Sequence, residues 1–241
     1  MPIFRLAPLA ACLFSSLFTL NVFADTPQTS FPSPHGVTVT VKQIGPVTQT
    51  TDLQIITLLK HNPQGDQYIE AMQDFNDKQG GLLQALRERG DFIGELGETF
   101  LYTPPGQSIT PRQVLLIGVG DEKSLSLESL RLAGRIAIRE AVRLNAHHVS
   151  FAPTLRDQGS SVIEVGAGDA AVVEEGLLAY DTEKRLQAQG LAPAFDIQEW
   201  VIEAGPKYYQ SVNTQIDRAI QQVSLTLQKK GTEPYVAASK K

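Results

Sequence analysis

The stretch that most constrains this chain is Gln113–Gly120, QVLLIGVG, together with the segment that follows it to Asn145. Val114, Leu115, Leu116, Ile117 and Val119 form an apolar run that does not alternate, the pattern of a strand buried on both faces. Gly118 and Gly120 permit a sharp turn, and Ser124 or Ser126 can cap a helix. From about Ser126 onward, Leu127, Leu130, Gly134, Ala137, Ile138, Ala141 and Leu144 recur at helical spacing on one stripe. A buried strand, a glycine turn and a returning helix are half of a βαβ unit, and such a unit needs a parallel sheet around it.

The flanking sequence offers the other elements. Val37–Val41 alternates β-branched residues as a half-buried strand, and Leu53–Leu59 reads as a second. Gly65–Lys78 and Leu82–Arg89 read as helices separated by Gly80-Gly81, and Thr99–Tyr102 as a strand stopped by Pro104-Pro105-Gly106. His148–Ala152 and Phe195–Glu203 complete the strands. Gly168–Gln187 carries Val173, Leu177, Tyr180 and Leu186 inward. A final helix enters through Pro206, with Tyr209, Val212, Ile216, Ala219 and Val223 at spacings of three and four. Strands alternating with helices predict one α/β domain with a mixed, largely parallel sheet flanked by helices.

Residues 1–24 carry the pattern of a secretory signal: Arg5, an apolar stretch from Leu6 to Leu20, and Val22-Phe23-Ala24 as a small-residue cleavage site. The competing reading is a lipoprotein signal, with Leu9-Ala10-Ala11 before Cys12, although the apolar run continues well past that cysteine. Cleavage after Ala24 predicts export, to a periplasm, and removes the chain's one cysteine, leaving neither disulfide nor thiolate chemistry. It also makes the net charge one unit more negative than the formal −5 of the whole chain, against general nucleic-acid binding. No later segment is long and apolar enough to span a membrane. The expected organisation is a signal at 1–24, a proline-rich extended leader at 25–36, the domain at 37–230 and a disordered tail at 231–241.

From about Gly36 to Gln228 the chain resembles the N-terminal, macro-like domain of the leucyl (cytosol) aminopeptidase family. The residues that carry the resemblance are Gly90-Asp91-Phe92-Ile93-Gly94-Glu95-Leu96-Gly97, the Gln113–Gly120 strand with its Leu125–Ala141 helix, and Ala171–Tyr180. In that family the metal ligands and the catalytic lysine and arginine belong to a C-terminal domain containing an Asn-Thr-Asp-Ala-Glu-Gly-Arg stretch. Asn213-Thr214-Gln215-Ile216-Asp217 is the nearest string here and lacks the Glu-Gly-Arg half. The resemblance therefore implies the fold without the catalytic machinery, and no catalytic residue carries over.

The remaining chemistry-bearing residues offer two candidate sites. Gly118 and Gly120 follow a buried strand, while Gly166, Gly168 and Asp169 belong to a GxGxxA string that opens a helix. Backbone N–H groups at such loops can receive a phosphate, and macro-like domains elsewhere bind ADP-ribose-type ligands. Against this, Asp121, Glu122 and Asp169 bring negative charge, Asp169 can act simply as a helix cap, and turn glycines explain the pattern. Arg131, Arg135, Arg139 and Arg143 recur every four residues along one helix, and like charges at that spacing repel. They form either a docking face for an acidic partner or a second copy, or a solvated, locally paired face.

His35, His61, His147 and His148 show no metal-ligand spacing, and His147 and His148 point to opposite sides of a strand. No serine sits in a G-x-S-x-G elbow. The chain is expected to need no cofactor and to act as a non-catalytic binding or assembly module. The alternatives are a small-ligand, nucleotide-like binder and an aminopeptidase in family label only.

Overall fold

The computed structural model describes residues 26–231 and 233–235. The expected signal and most of the expected tail lie outside the described residues. The strands are β1 (Gln28–Pro32), β2 (Thr38–Lys42), β3 (Leu53–Leu59), β4 (Thr99–Tyr102), β5 (Gln113–Gly120), β6 (His148–Ala152) and β7 (Glu199–Glu203). The helices are α1 (Glu70–Lys78), α2 (Leu82–Glu88), α3 (Leu127–Arg143), α4 (Val165–Ala188) and α5 (Tyr209–Lys229). One sheet orders the strands β1-β2-β7-β6-β3-β5-β4. The five inner strands are parallel, and the outer two, β1 and β4, pair antiparallel.

The QVLLIGVG strand is β5, flanked by β3 and β4, although it stands next to the sheet edge rather than at its middle. Ser126 caps α3 by accepting from the Ser129 N–H, so Ser124 is not the cap. Seven α3 residues are buried, including Leu130, Gly134, Ala137, Ile138 and Ala141, whereas Leu127 stays exposed at the stripe's edge. Alternation divides the sheet residues between two cores. Ile55, Leu115, Ile117, Phe151, Trp200 and Ile202 pack under α3, α4 and α5 on the first face. Ile56, Leu58, Val114 and Leu116 meet Met72 and Phe75 of α1 and Leu83 and Leu86 of α2 on the second.

Four expectations are corrected. The leader is extended, but Gln28–Pro32 pairs with β2 as an edge strand of the sheet, so the domain begins before residue 37. An edge strand leaves one row of backbone groups outside the ladder, which is where Pro32 is tolerated. The first helix starts at Glu70, not Gly65, and the last strand is only Glu199–Glu203, not Phe195 onward. Gly166 and Gly168 lie inside α4, not in a turn before it, because the helix begins at Val165 behind its cap Glu164. In the tail, Arg185 donates to the Gly231 carbonyl, and the Tyr235 N–H donates to the Gln189 side chain at 2.8 Å.

Candidate functional site

β3 and β6 are adjacent parallel strands whose onward chains leave in opposite directions. β3 leads to α1 on the second face, whereas β6 leads to α4 on the first. Two connections diverging from neighbouring strand ends leave a crevice between them, the usual place for a ligand in an open α/β sheet. A cavity of about 380 Å³ opens here, bounded by the residues after β6, the end of β7, the loop after β2 and the turns before α1 and α5.

Glu203, the last residue of β7, lines this cavity and is 3% exposed. It lies on the second face, where the β1-β2-β7-β6 half of the sheet is polar rather than apolar. Ser30 and Thr40 are hydrogen-bonded at 3.1 Å, Thr40 donates to Glu199 at 2.9 Å, and Ser150 donates to Glu203 Oε1 at 2.7 Å. Glu203 Oε2 has no partner among the described residues. Burial pushes its carboxyl up to about 7, against the opposing Ser150 hydrogen bond, the nearby Gln54 amide and the charge of Lys42.

The opposite wall is built by the turn into α1 and the loop after β6. Asp157 stands beside the start of α1, its carbonyl accepting from the Ile69 N–H at 2.9 Å. Burial and the neighbouring Glu70 charge push its carboxyl up to about 6. Glu70 adopts φ +48°, a left-handed backbone that costs a non-glycine residue about 1–2 kcal/mol and turns the chain sharply at the cavity mouth. Arg156 lines the same cavity; among the described residues it has no acidic partner, and its Nε is buried without a hydrogen bond.

The loop reaching this rim is anchored from behind. Arg87, with its side chain 1% exposed, donates from Nε to Asp66 Oδ2 at 2.6 Å and from Nη2 to the Leu59 carbonyl at 2.8 Å. Although burial opposes it, Arg87, the Asn62 N–H and His61 hold the Asp66 carboxyl below its ordinary value. His61 and Tyr68 complete the cluster on the same carboxylate.

The candidate glycine cradle is not formed. The Gly118 N–H donates to the Glu98 carbonyl at 2.8 Å and the Gly120 N–H to the Gly94 carbonyl at 3.1 Å. The Gly166 N–H is taken by the Glu164 carboxylate at 3.1 Å and the Gly168 N–H by the Glu164 carbonyl at 3.0 Å. Backbone donors already engaged within the chain cannot receive a phosphate. Gly118 is instead a packing residue, since a Cβ there would overlap the Glu95 carbonyl oxygen. Asp169 is neither a cap nor a surface charge. It is buried in α4, and desolvation together with the Glu164 charge raises its carboxyl well above the usual range. It lines a 20 Å³ cavity beside the main one, with Gly168, Thr57 and Arg156.

The arginine ladder faces α4. Arg131 approaches Glu174 at 3.6 Å while pairing with Glu128, Arg135 binds Glu175 at 2.7 Å, Arg139 lies 3.7 Å from Glu183, and Arg143 pairs with Glu140. The glutamates of the neighbouring helix thus offset the repulsion along the ladder. The histidines are dispersed, His147 bonding to the Asp196 carbonyl and His148 lying 3.4 Å from Asp52. Among the described residues no three His, Cys, Asp or Glu side chains are grouped to hold a metal, and no helix is long and apolar enough to cross a membrane.

Sequence reasoning missed Glu70, Arg156, Asp157 and Glu203. A signal existed for the last: in Glu199-Trp200-Val201-Ile202-Glu203 an acid closes an apolar strand at its carboxyl end. Arg156 and Asp157 stand in the loop that follows another strand's carboxyl end, where binding residues collect.

A mixed sheet with helices on both faces and a crevice at the strand ends defines a macro-like α/β module. The model of the cytosol aminopeptidase family, N-terminal domain, matches residues 55–185, more than half the chain, and the chain belongs to that family. The probable cytosol aminopeptidase of Pseudomonas syringae pv. tomato is 35% identical over 97 residues, covering 40% of this chain and 18% of that protein. The corresponding protein of Halorhodospira halophila is 31% identical over 116 residues, covering 48% and 23%. The chain thus matches less than a quarter of the length of these curated relatives. Among solved structures, a tomato leucine aminopeptidase variant superposes with a TM-score of 0.59 at 18% identity, covering 84% of this chain and 39% of that one. An Oceanobacillus iheyensis macrodomain variant superposes with a TM-score of 0.58 at 12% identity, covering 84% and 98%.

Proposed function

We propose that this chain is an exported, non-catalytic module that binds a small molecule in the crevice at the carboxyl ends of β6 and β7. The carrying observation is Glu203, a buried carboxyl that lines a cavity with one oxygen unpartnered. A buried polar group without a partner costs about 1–3 kcal/mol, and the cavity it borders stands where the connections after β3 and β6 diverge, the usual place for a ligand in an open α/β sheet. Export is supported by the Arg5, Leu6–Leu20 and Val22-Phe23-Ala24 pattern. The non-catalytic role is supported by the family match, which falls on the N-terminal domain.

Binding through the crevice is preferred to assembly through the arginine ladder, because the ladder is engaged with α4. A nucleotide-like occupant is the second reading. Oceanobacillus iheyensis macrodomain structures that share the fold contain ADP, and ADPR in one variant. The test is amide chemical-shift mapping of the mature chain against a panel of amino acids, nucleotides and sugars. At least one class should move the resonances of Ala152–Asp157 and Glu203–Tyr208 together. A panel that leaves these residues unmoved overturns the reading, as does metal-dependent release of leucine from its anilide by the purified chain.

A further inference from the structure

β1 is an outer strand of the sheet, and one row of its backbone groups is unpaired. Its register with β2 holds Thr29 opposite Val41 and Phe31 opposite Val39. The flanking bonds run from the Gln43 N–H to the Pro27 carbonyl at 2.9 Å and from the Ser33 N–H to the Val37 carbonyl at 3.0 Å. Bonded pairs alternate along an antiparallel ladder. Thr29 and Phe31 therefore bond to β2, while Gln28, Ser30 and Pro32 turn their backbone groups outward. Among the described residues no strand pairs with that outward row.

Exposed edges are usually blunted by charged side chains, a bulge or a proline within the row. β1 carries no charged residue and no register shift, and its one proline ends the strand. The outward row is also complementary to itself. Laid antiparallel about a two-fold axis at Ser30, two copies exchange both Ser30 hydrogen bonds, and the Gln28 N–H of each meets the Pro32 carbonyl of the other. The donor that Pro32 lacks then falls at the outermost position, where water reaches the Gln28 carbonyl instead.

The helix beside this edge is suited to the same arrangement. The Tyr209 and Thr29 hydroxyls lie 2.9 Å apart, and Asp217, Ile220 and Leu225 of α5 border a groove of about 450 Å³ with Phe31 and Pro32. Leu225 is 50% exposed there. From Tyr209 to Gln228 the only charges are Asp217 and Arg218, adjacent, opposite in sign and in no ion pair among the described residues. In a chain of net charge −5, this is surface that a second copy can approach without repulsion.

We infer that a second copy of this chain continues the sheet at β1, the two β1 strands antiparallel about Ser30 and the two α5 helices flanking the axis. The axis runs those helices in opposite directions, bringing the Asp217-Arg218 pair of one copy to the reversed pair of the other. The contact uses the same surface on both copies and closes at a dimer.

The experiment is sedimentation of the mature chain across micromolar to millimolar concentrations, with amide exchange read by NMR at both ends of that range. A dimer should form with rising concentration. The Gln28 and Ser30 amides should gain protection as it forms, while those of Thr29 and Phe31 stay protected throughout. Q28P removes an outward donor and no bond to β2, so it should weaken the dimer at least tenfold while circular dichroism shows a folded chain. D217R sets like charges across the axis and should also weaken it, and adding R218D should regain what D217R lost. A chain monomeric at every concentration, with Gln28 and Ser30 exchanging freely, overturns the inference. A dimer indifferent to Q28P does so too, as does a charge swap that regains nothing. Growth past the dimer would mark a head-to-tail contact of β1 with β4 of the next copy and would also overturn it.

Discussion

Gly134 of α3 lies directly against the backbone of Val172 in α4: a Cβ on Gly134 would overlap the Val172 carbonyl oxygen and sit 3.0 Å from its Cα. The two helices approach this closely because position 134 has no side chain, and the approach brings Arg131, Arg135 and Arg139 within reach of Glu174, Glu175 and Glu183. Packing against a neighbouring backbone cannot be relieved by a rotamer change. Gly134→Val should therefore destabilise the domain by about 3 kcal/mol, the upper range for overpacking. Chemical denaturation checks this, and a loss under 1 kcal/mol would mean that α3 and α4 separate easily.

The same helix pair makes a prediction about salt. Partly exposed ion pairs contribute roughly 0.2–1 kcal/mol each and are screened by added ions. Replacing Arg135 and Arg139 together by Gln should cost about 1 kcal/mol at low salt and less at 1 M. Light scattering should show the same oligomeric state for wild type and variant at both salt levels. A change in association at low salt would return the ladder to the role of a docking face.

Glu203 makes stability fall with rising pH. Its carboxyl releases its proton near 4.5 in the unfolded chain and near 7 in the folded one, so folding retains a proton between those values. The stabilisation is complete below pH 4.5 and is lost as the pH rises through 7, a change of about 3 kcal/mol for that shift. Glu203→Gln keeps the shape without the ionisation, and its melting temperature should exceed that of wild type at pH 8 and vary less between pH 5 and 8. Parallel pH profiles for the two proteins would show that Glu203 ionises freely. Asp169, also raised by burial, should add to the wild-type slope in the same direction.

Arg87 holds the rim of the crevice by pairing with Asp66. Removing one member of a buried pair leaves the other charge desolvated, at about 3–5 kcal/mol. Arg87→Met should lose roughly that amount, while the double change with Asp66→Asn should recover part of it. Hydrogen exchange should rise first between Lys60 and Ile69. A single variant within 1 kcal/mol of wild type would remove the anchoring role.

The secondary structure was legible where one residue pattern carried one physical demand. Four apolar residues in a row, Val114–Ile117, with Val119 beyond Gly118, needed burial on two faces, which made Gln113–Gly120 an inner strand, and the three-four spacing from Tyr209 to Val223 defined a helix face that is buried as read. Gln28–Pro32 was legible only as extended chain, because pairing depends on a second strand beyond an intervening turn. Its backbone groups are satisfied equally by water or by β2 as far as local sequence can tell.

The site was much less legible, and the reason is the same. Local sequence determined that Gly166 and Gly168 stand near a helix start and that Arg131, Arg135, Arg139 and Arg143 share one side of another. Whether those N–H groups were free, and what faced those arginines, depended on Glu164 and on a helix some 40 residues further along the chain. Glu203 and Arg156 stand 47 positions apart and belong to no motif. Only the crossing of β3 and β6 to opposite faces opens a space that both can line. Sequence alone determined the elements and the family because burial periodicity is a local property. Tertiary structure decided which polar groups were left without partners, because hydrogen bonding and desolvation depend on what the rest of the chain brings within a few ångströms.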